Sequence, residues 1–218
     1  VQDSIQMGYD EQVENLSLGL SFVASAKDFT ESTYLPKGEF FIDSLNAELK
    51  HYPHRLHDFH ADVLIDDKDI QVVDFTGFID DSDFHFDGLV HDYAFWMRHE
   101  RNGDVALDFN LNSKKLRLED VFSYKGENYV PEEYRHELFD ELALHFTSKM
   151  HYKDSSLHSI DIALDKLDTK MELHPQRFHD FKGNIRYEDD HLVINDFHGE
   201  IGLTNFNLDL NYYVGKDQ

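Results

Sequence analysis

Histidine and aspartate stand side by side twice in this chain, at His57-Asp58 and His179-Asp180, and these two side-chain types could share a metal ion or a proton. Successive residues of a β-strand point to opposite faces, so on strands neither pair should act as a dyad or a ligand pair. Each is expected to be a polar strand start. His136-Glu137-Leu138-Phe139-Asp140 follows the zinc-protease helix pattern until its last position, where Asp140 replaces the second histidine. On a helix His136 and Asp140 would face the same way and could hold a metal of a hydrolase, but no third ligand accompanies them. The acidic stretches Asp66 to Asp69 and Asp80 to Asp83 lack the alternating oxygen ligands, central glycine and terminal glutamate of a calcium loop. They read as hairpin turns. No nucleophile elbow, phosphate loop or dinucleotide fingerprint occurs. The residues therefore predict no enzyme, no catalytic residue, no metal site and no cofactor.

Charge narrows the partners. Forty-four acidic against 20 basic residues give −24 at pH 7, a field that repels phosphate backbones and anionic headgroups. Nucleic acid is excluded as a partner, and the acids are expected to coat exposed strands and block edge pairing. With no cysteine there is no disulfide, thiol nucleophile or Cys-ligated zinc. The longest uncharged run, Asn15 to Ala26, is too short and polar to span a bilayer. Asn15-Leu16-Ser17 fits a glycosylation tripeptide, which predicts nothing by itself. The chain begins with Val1 without a signal pattern and ends in strand-like Tyr212-Tyr213-Val214-Gly215. A fragment of a longer protein is expected.

The elements that position these residues are strands. Leu16, Leu18, Leu20 and Phe22 alternate strictly, Thr30 to Gly38 reads as a loop with Pro36, and alternation resumes from Phe41 through Leu45, Ala47 and Leu49 to Tyr52-Pro53. Phe59, Ala61, Val63 and Ile65 share one strand face, and Ile70 to Ile79 and Asp83 to Phe95 complete a unit in which Gly77 suggests a bulge or bend. After an Asn102-Gly103 turn, Val105 to Leu118 alternates. Pro131-Glu132-Glu133 with Tyr134 and Leu138 predicts one short helix over about Pro131 to Asp140. Leu142, Leu144 and Phe146 begin strands again.

The unit then returns. Arg55-Leu56-His57-Asp58-Phe59 recurs as Arg177-Phe178-His179-Asp180-Phe181, and the same offset of 122 residues aligns Asp43 to Gly88 with Asp165 to Leu210 without a gap. Pairs such as Pro53/Pro175, Asp74/Asp196, Phe75/Phe197, Gly77/Gly199, Ile79/Ile201, Phe84/Phe206 and Asp87/Asp209 are identical. A duplicated β unit is inferred, with repeat A at about 40–96, repeat B at about 162–213 and connecting strands and the helix at about 103–150, in one domain over 1–218. So many strands with so few helices must form a sandwich or barrel, or curl into a trough whose apolar face needs an occupant.

The succession Asp43-Ser-Leu-Asn-Ala-Glu-Leu, Leu56-His-Asp-Phe-His-Ala-Asp-Val-Leu-Ile-Asp-Asp and Ile70-Gln-Val-Val-Asp-Phe-Thr-Gly resembles the repeat of AsmA-like proteins, and so does Asp104 to Asp120 between repeats. The second copy, Phe181 to Gly199, fits better because Gly183 stands where the first has Ala61. The resemblance covers about 35–213. It implies a bacterial envelope protein, anchored in the inner membrane by an N-terminal segment absent here, with its bulk in the periplasm. It further implies likeness to chorein-type bridges, whose curled sheet carries lipid acyl chains between membranes.

The expected fold is thus all-β, a long antiparallel curled sheet of two related repeat units with one short helix between them. The expected function is non-enzymatic binding and transport of phospholipid acyl chains in support of outer-membrane assembly, with other envelope proteins as further partners. Groove candidates are Phe59, Val63, Ile65, Phe84 and Phe86 with Phe181, Ile185, Tyr187, Phe206 and Leu208. The alternative is a structural or adhesive β-repeat module with a dry core.

Overall fold

Alternating apolar and polar side chains give a strand one buried face, and acidic turn residues that tolerate a left-handed backbone let consecutive strands fold back on each other. Both devices run the length of this chain in a computed structural model, which describes residues 12–23, 25, 35–49, 51–66, 68–97, 101–124 and 127–214. The strands are β1 (Gln12–Val23), β2 (Lys37–Leu49), β3 (Tyr52–Ile65), β4 (Asp69–Ile79), β5 (Ser82–His91), β6 (Gly103–Arg117), β7 (Ser123–Tyr124), β8 (Glu127–Asn128), β9 (Leu138–Lys153), β10 (Ser156–Met171), β11 (Arg177–Glu188), β12 (His191–Ile201) and β13 (Thr204–Tyr213). Eleven of them form one open antiparallel sheet in the order β1-β2-β3-β4-β5-β6-β9-β10-β11-β12-β13. The pair β7-β8 is separate. The all-β antiparallel expectation holds.

The tightest turns explain the neighbour-to-neighbour order. Asp154-Ser155 joins β9 to β10 and Asp189-Asp190 joins β11 to β12, and in both turns the two residues have positive φ, 50° and 64° in one and 50° and 60° in the other. That backbone matches the right-handed twist of the strands it connects. Asp80 and Gly202, 122 residues apart, also share a positive φ, 49° and 64°.

Register fixes which positions face together. One row crosses all eleven strands: Phe22, Gly38, Ile65, Ile70, Val90, Leu107, Ser148, Ile162, Ile185, Ile194 and Leu210. Only Gly38 and Ser148 interrupt its apolar character, and the buried Ser148 hydroxyl has no hydrogen-bond partner among the described residues. Among those residues the only other sheet is the two-stranded β7-β8 pair, which meets chiefly β3 among the strands of the large sheet. Local cover comes from the helical turn Ala94–Met97, where Tyr93, Ala94 and Phe95 are buried, and from the β6–β9 connection, where Asp120, Val130 and Glu137 are buried.

Several boundaries differ from the sequence reading. Proline and acids at Pro131-Glu132-Glu133 start only a 3-10 turn, Glu132–Tyr134, and β9 already begins at Leu138. The buried Glu137 carboxylate accepts the Leu138 and Leu173 N–H groups at 3.2 and 3.1 Å, tying this point to the end of β10. A helix here would break that tie. Strand β5 stops at His91 rather than Phe95, Pro53 lies inside β3 rather than at a strand end, and a second helical turn occupies Leu118–Val121. The Thr30 to Gly38 loop lies mostly outside the described residues, and its last two residues belong to β2. Gly77 marks no bulge, because it pairs directly with Phe84 and leaves room for the Phe59 ring, which an added Cβ would meet at 2.9 Å.

Candidate functional site

Bulges decide where the aromatic side chains gather. Asp58 and Asp180 adopt φ of 53° and 52°, which inserts a left-handed residue into β3 and β11 and interrupts the alternation. Each freed N–H is taken by the neighbouring strand: Asp58 N donates to Asn46 Oδ1 at 2.8 Å and Asp180 N to Asp168 Oδ1 at 2.7 Å. Asn46 and Asp168 are themselves 122 residues apart.

The left-handed residue overturns the expectation that the His-Asp neighbours point apart. His57 Nδ1 lies 2.8 Å from Asp58 Oδ2, and His179 Nε2 lies 3.3 Å from Asp180 Oδ2. His57 is no strand start, since it sits inside β3 and bonds the Asp80 carbonyl through Nε2 at 2.8 Å, whereas His179 lies near the start of β11. The Asp58 hydrogen bond, joined by that to the Asp80 carbonyl, raises the His57 pKa above 6.5. A raised histidine pKa stabilises the fold at pH below about 6.5, and the contribution fades as pH climbs through the raised value. In an NMR titration His57 should therefore titrate above 6.5, and Asp58→Asn should bring its midpoint back towards 6.5. An unchanged midpoint in that variant would rule out Asp58 as the cause.

Just beyond each bulge a phenylalanine turns onto the apolar face. Phe59 is 8% exposed and packs edge-on against Phe75 and Phe84, with ring centroids 5.6 and 5.3 Å away. From there rings continue across the sheet: Phe75 to Phe86 at 4.6 Å, Phe86 to Phe109 at 5.6 Å and Phe109 to Phe146 at 5.2 Å. Phe181 meets Phe197 and Phe206 at 5.7 and 5.9 Å, and an added Cβ on Gly199 would meet its ring at 2.6 Å. The aromatic trio and the glycine beneath it thus occur at both places.

The first trio borders a recess of about 510 Å³ lined by Leu49, Tyr52, Leu56, Phe59, Phe75, Ile79, Phe84, Phe86, Phe109, Leu111, Leu116 and Val121. Its only polar side-chain atom is the Tyr52 hydroxyl, which bonds the Asp120 carbonyl. Burial, followed by the fields of Asp120 and Asp80, pushes the Tyr52 phenol up to about 12. A second depression of about 560 Å³ is lined mainly by the alternate positions, among them Ala106, Asp108, Thr147, Lys149, Asp161, Ala163 and Arg186. Asp108, Lys149, Asp161 and Arg186 put charges of both signs among its apolar residues.

All ten sequence candidates fall on the face of the recess. Phe59, Phe84 and Phe86 line it. Val63 and Ile65 extend the same face of β3, Ile185 lies in the row that crosses the sheet, and Tyr187 pairs with Leu192. Phe181 and Phe206 belong to the second trio, and Leu208 stands opposite Phe197. The Tyr187 hydroxyl is tied to Asp190 Oδ1 at 3.0 Å. Phe75 and Phe109 were missed. Phe75 lies beyond a register shift between Val72 and itself, so counting alternate positions from Ile70 puts it on the wrong face.

Among the described residues three groups bring a histidine and two carboxylates within 4.8 Å of one another: His54, Asp80 and Asp120; His158, Glu188 and Asp189; and Asp168, His179 and Asp180. His136 and Asp140 are in none of them, and without the helix they do not share a face. His136 instead sits on an exposed turn, 3.5 Å from Glu119. No family model, curated protein or solved structure matches this chain.

Proposed function

We propose that this chain is a non-enzymatic lipid-binding module, taking phospholipid acyl chains onto the Phe59 face and passing them along the sheet. The observation that carries this reading is the apolar row that runs from β1 to β13 on a face without a covering layer among the described residues. Its recess of about 510 Å³ is almost wholly apolar in its lining. Each methylene moved from water onto such a surface contributes about 0.8 kcal/mol, so a chain lying over several strands would offset the cost of its own ordering. A dry-core structural module would need that face covered from within, and the described residues supply only local cover.

The resemblance to AsmA-like repeats adds the setting: a periplasmic part of an inner-membrane-anchored bacterial protein, working with other envelope proteins in outer-membrane assembly. No helix of the described residues is long and apolar enough to cross a membrane.

Organic extraction of the purified chain followed by lipid mass spectrometry tests the reading. Phospholipid is expected well above the level carried by a matched acidic β protein, and Phe86→Asp, which sets a carboxylate in the recess, should deplete it severalfold. Lipid at control level in the unmodified chain, together with no uptake of a fluorescent fatty acid, would sink the proposal.

A further inference from the structure

Beside the recess three side chains converge from separate parts of the fold. His54 comes from the start of β3, Asp80 from the β4–β5 turn and Asp120 from the helical turn after β6. His54 Nδ1 lies 2.8 Å from Asp80 Oδ2 and 3.8 Å from Asp120 Oδ1. Asp120 is 6% exposed. Its Oδ2 receives the Ser82 hydroxyl hydrogen at 2.6 Å, but its Oδ1 accepts no hydrogen bond among the described residues, because 3.8 Å is beyond hydrogen-bond reach. Ser82 thus holds one oxygen of the carboxylate and leaves the other facing the imidazole.

The other two clusters lack this feature. Asp168 Oδ1 already accepts from Asp180 N and meets His179 Nδ1 at 2.5 Å, and Glu188 is engaged by Arg186 at 2.7 Å. In the His54 cluster, a proton on Nδ1 can serve one carboxylate at a time. A divalent cation in the proton's place would serve all three atoms. Four ligands held tetrahedrally at about 2.0 Å lie about 3.3 Å from one another, and the 2.8 and 3.8 Å separations bracket that spacing. An imidazole nitrogen with two carboxylate oxygens selects a borderline transition ion over calcium or magnesium.

The geometry points to a zinc-type divalent metal site formed by His54, Asp80 and Asp120, with one position open for a further ligand. It has no counterpart at the offset of 122 residues, where Gln176 and Gly202 stand, and a Cβ on Gly202 would meet the Gln176 side chain at 2.1 Å. This site does not depend on what occupies the recess.

Equilibrium dialysis of the full chain against Zn2+ in excess Mg2+ and Ca2+ tests it. One equivalent should bind at least about tenfold more tightly than the background from the other histidines. His54→Gln and Asp120→Asn should each abolish that equivalent, while His179→Gln retains it. Zn2+ should also raise the melting temperature of the unmodified chain and not that of His54→Gln. Should Asp120→Asn fail to fold, His54→Gln carries the test, since its side chain is partly exposed at the rim. A tight equivalent that survives His54→Gln, or the absence of any tight equivalent, would overturn the assignment.

Discussion

Phe59→Ala is expected to destabilise the chain by about 3–5 kcal/mol, the range for removing a buried ring whose surroundings collapse only partly. The ring touches Phe75 and Phe84 and covers Gly77, so its loss leaves a hole that three strands border. Gly77 has no side chain to move in, and the backbone of β4 is held on both sides by its ladders. Phe181→Ala should cost a similar amount for the same reason, through Phe197, Phe206 and Gly199. Five strands lie between β3 and β11, so the two losses should add to within about 0.5 kcal/mol. Urea denaturation of both single variants and the double variant measures this, with the half-exposed Leu64→Ala as a control expected to cost about 0.5 kcal/mol or less. A loss at Phe59 no larger than at Leu64 would mean that the trio does not hold the sheet together.

How these residues come together was only partly legible. Period-two alternation is a local property, so stretches of β1, β2, β3 and β6 could be read from their own residues. Bulges are not local. Whether Asp58 takes a left-handed backbone depends on Asn46, a strand away, accepting its N–H, and the side-chain parity beyond it changes with that choice. That is why the His57 and Asp58 side chains meet although neighbours on a regular strand cannot, and why counting alternate positions from Ile70 does not reach Phe75, which lines the recess. The false helix has a comparable cause. Pro131-Glu132-Glu133 carries good start signals, but Glu137 is drawn inwards by N–H groups on β9 and just after β10, and the chain extends instead. The cluster of His54, Asp80 and Asp120 has no sequence signature, since its members come from three elements and only the register brings them together.

Glycine at position 88 carries the other large effect. Gly88 faces Phe109 across the β5–β6 seam, and an added Cβ would stand 2.4 Å from the Asp108 carbonyl oxygen, a backbone atom that cannot swing aside. Gly88→Leu should therefore cost roughly 3 kcal/mol or more, beyond ordinary overpacking, because the ladder from His85 to His91 must move as a whole. Amide hydrogen exchange should show protection falling along both β5 and β6, while β11 to β13 keep theirs. Equal protection in the variant would show that the seam can absorb a side chain. The residue 122 positions later is Leu210, in β13, and there a leucine is accommodated. Among the described residues β13 has no strand on its outer side, so no carbonyl occupies the place that Asp108 holds beside β5. Gly88 thus answers to the neighbour β6 rather than to the fold of its own hairpin. Leu210→Gly should accordingly be mild, about 1 kcal/mol from lost apolar contact and added backbone freedom. The asymmetry between the two substitutions separates a requirement of the seam from a requirement of the repeated sequence pattern.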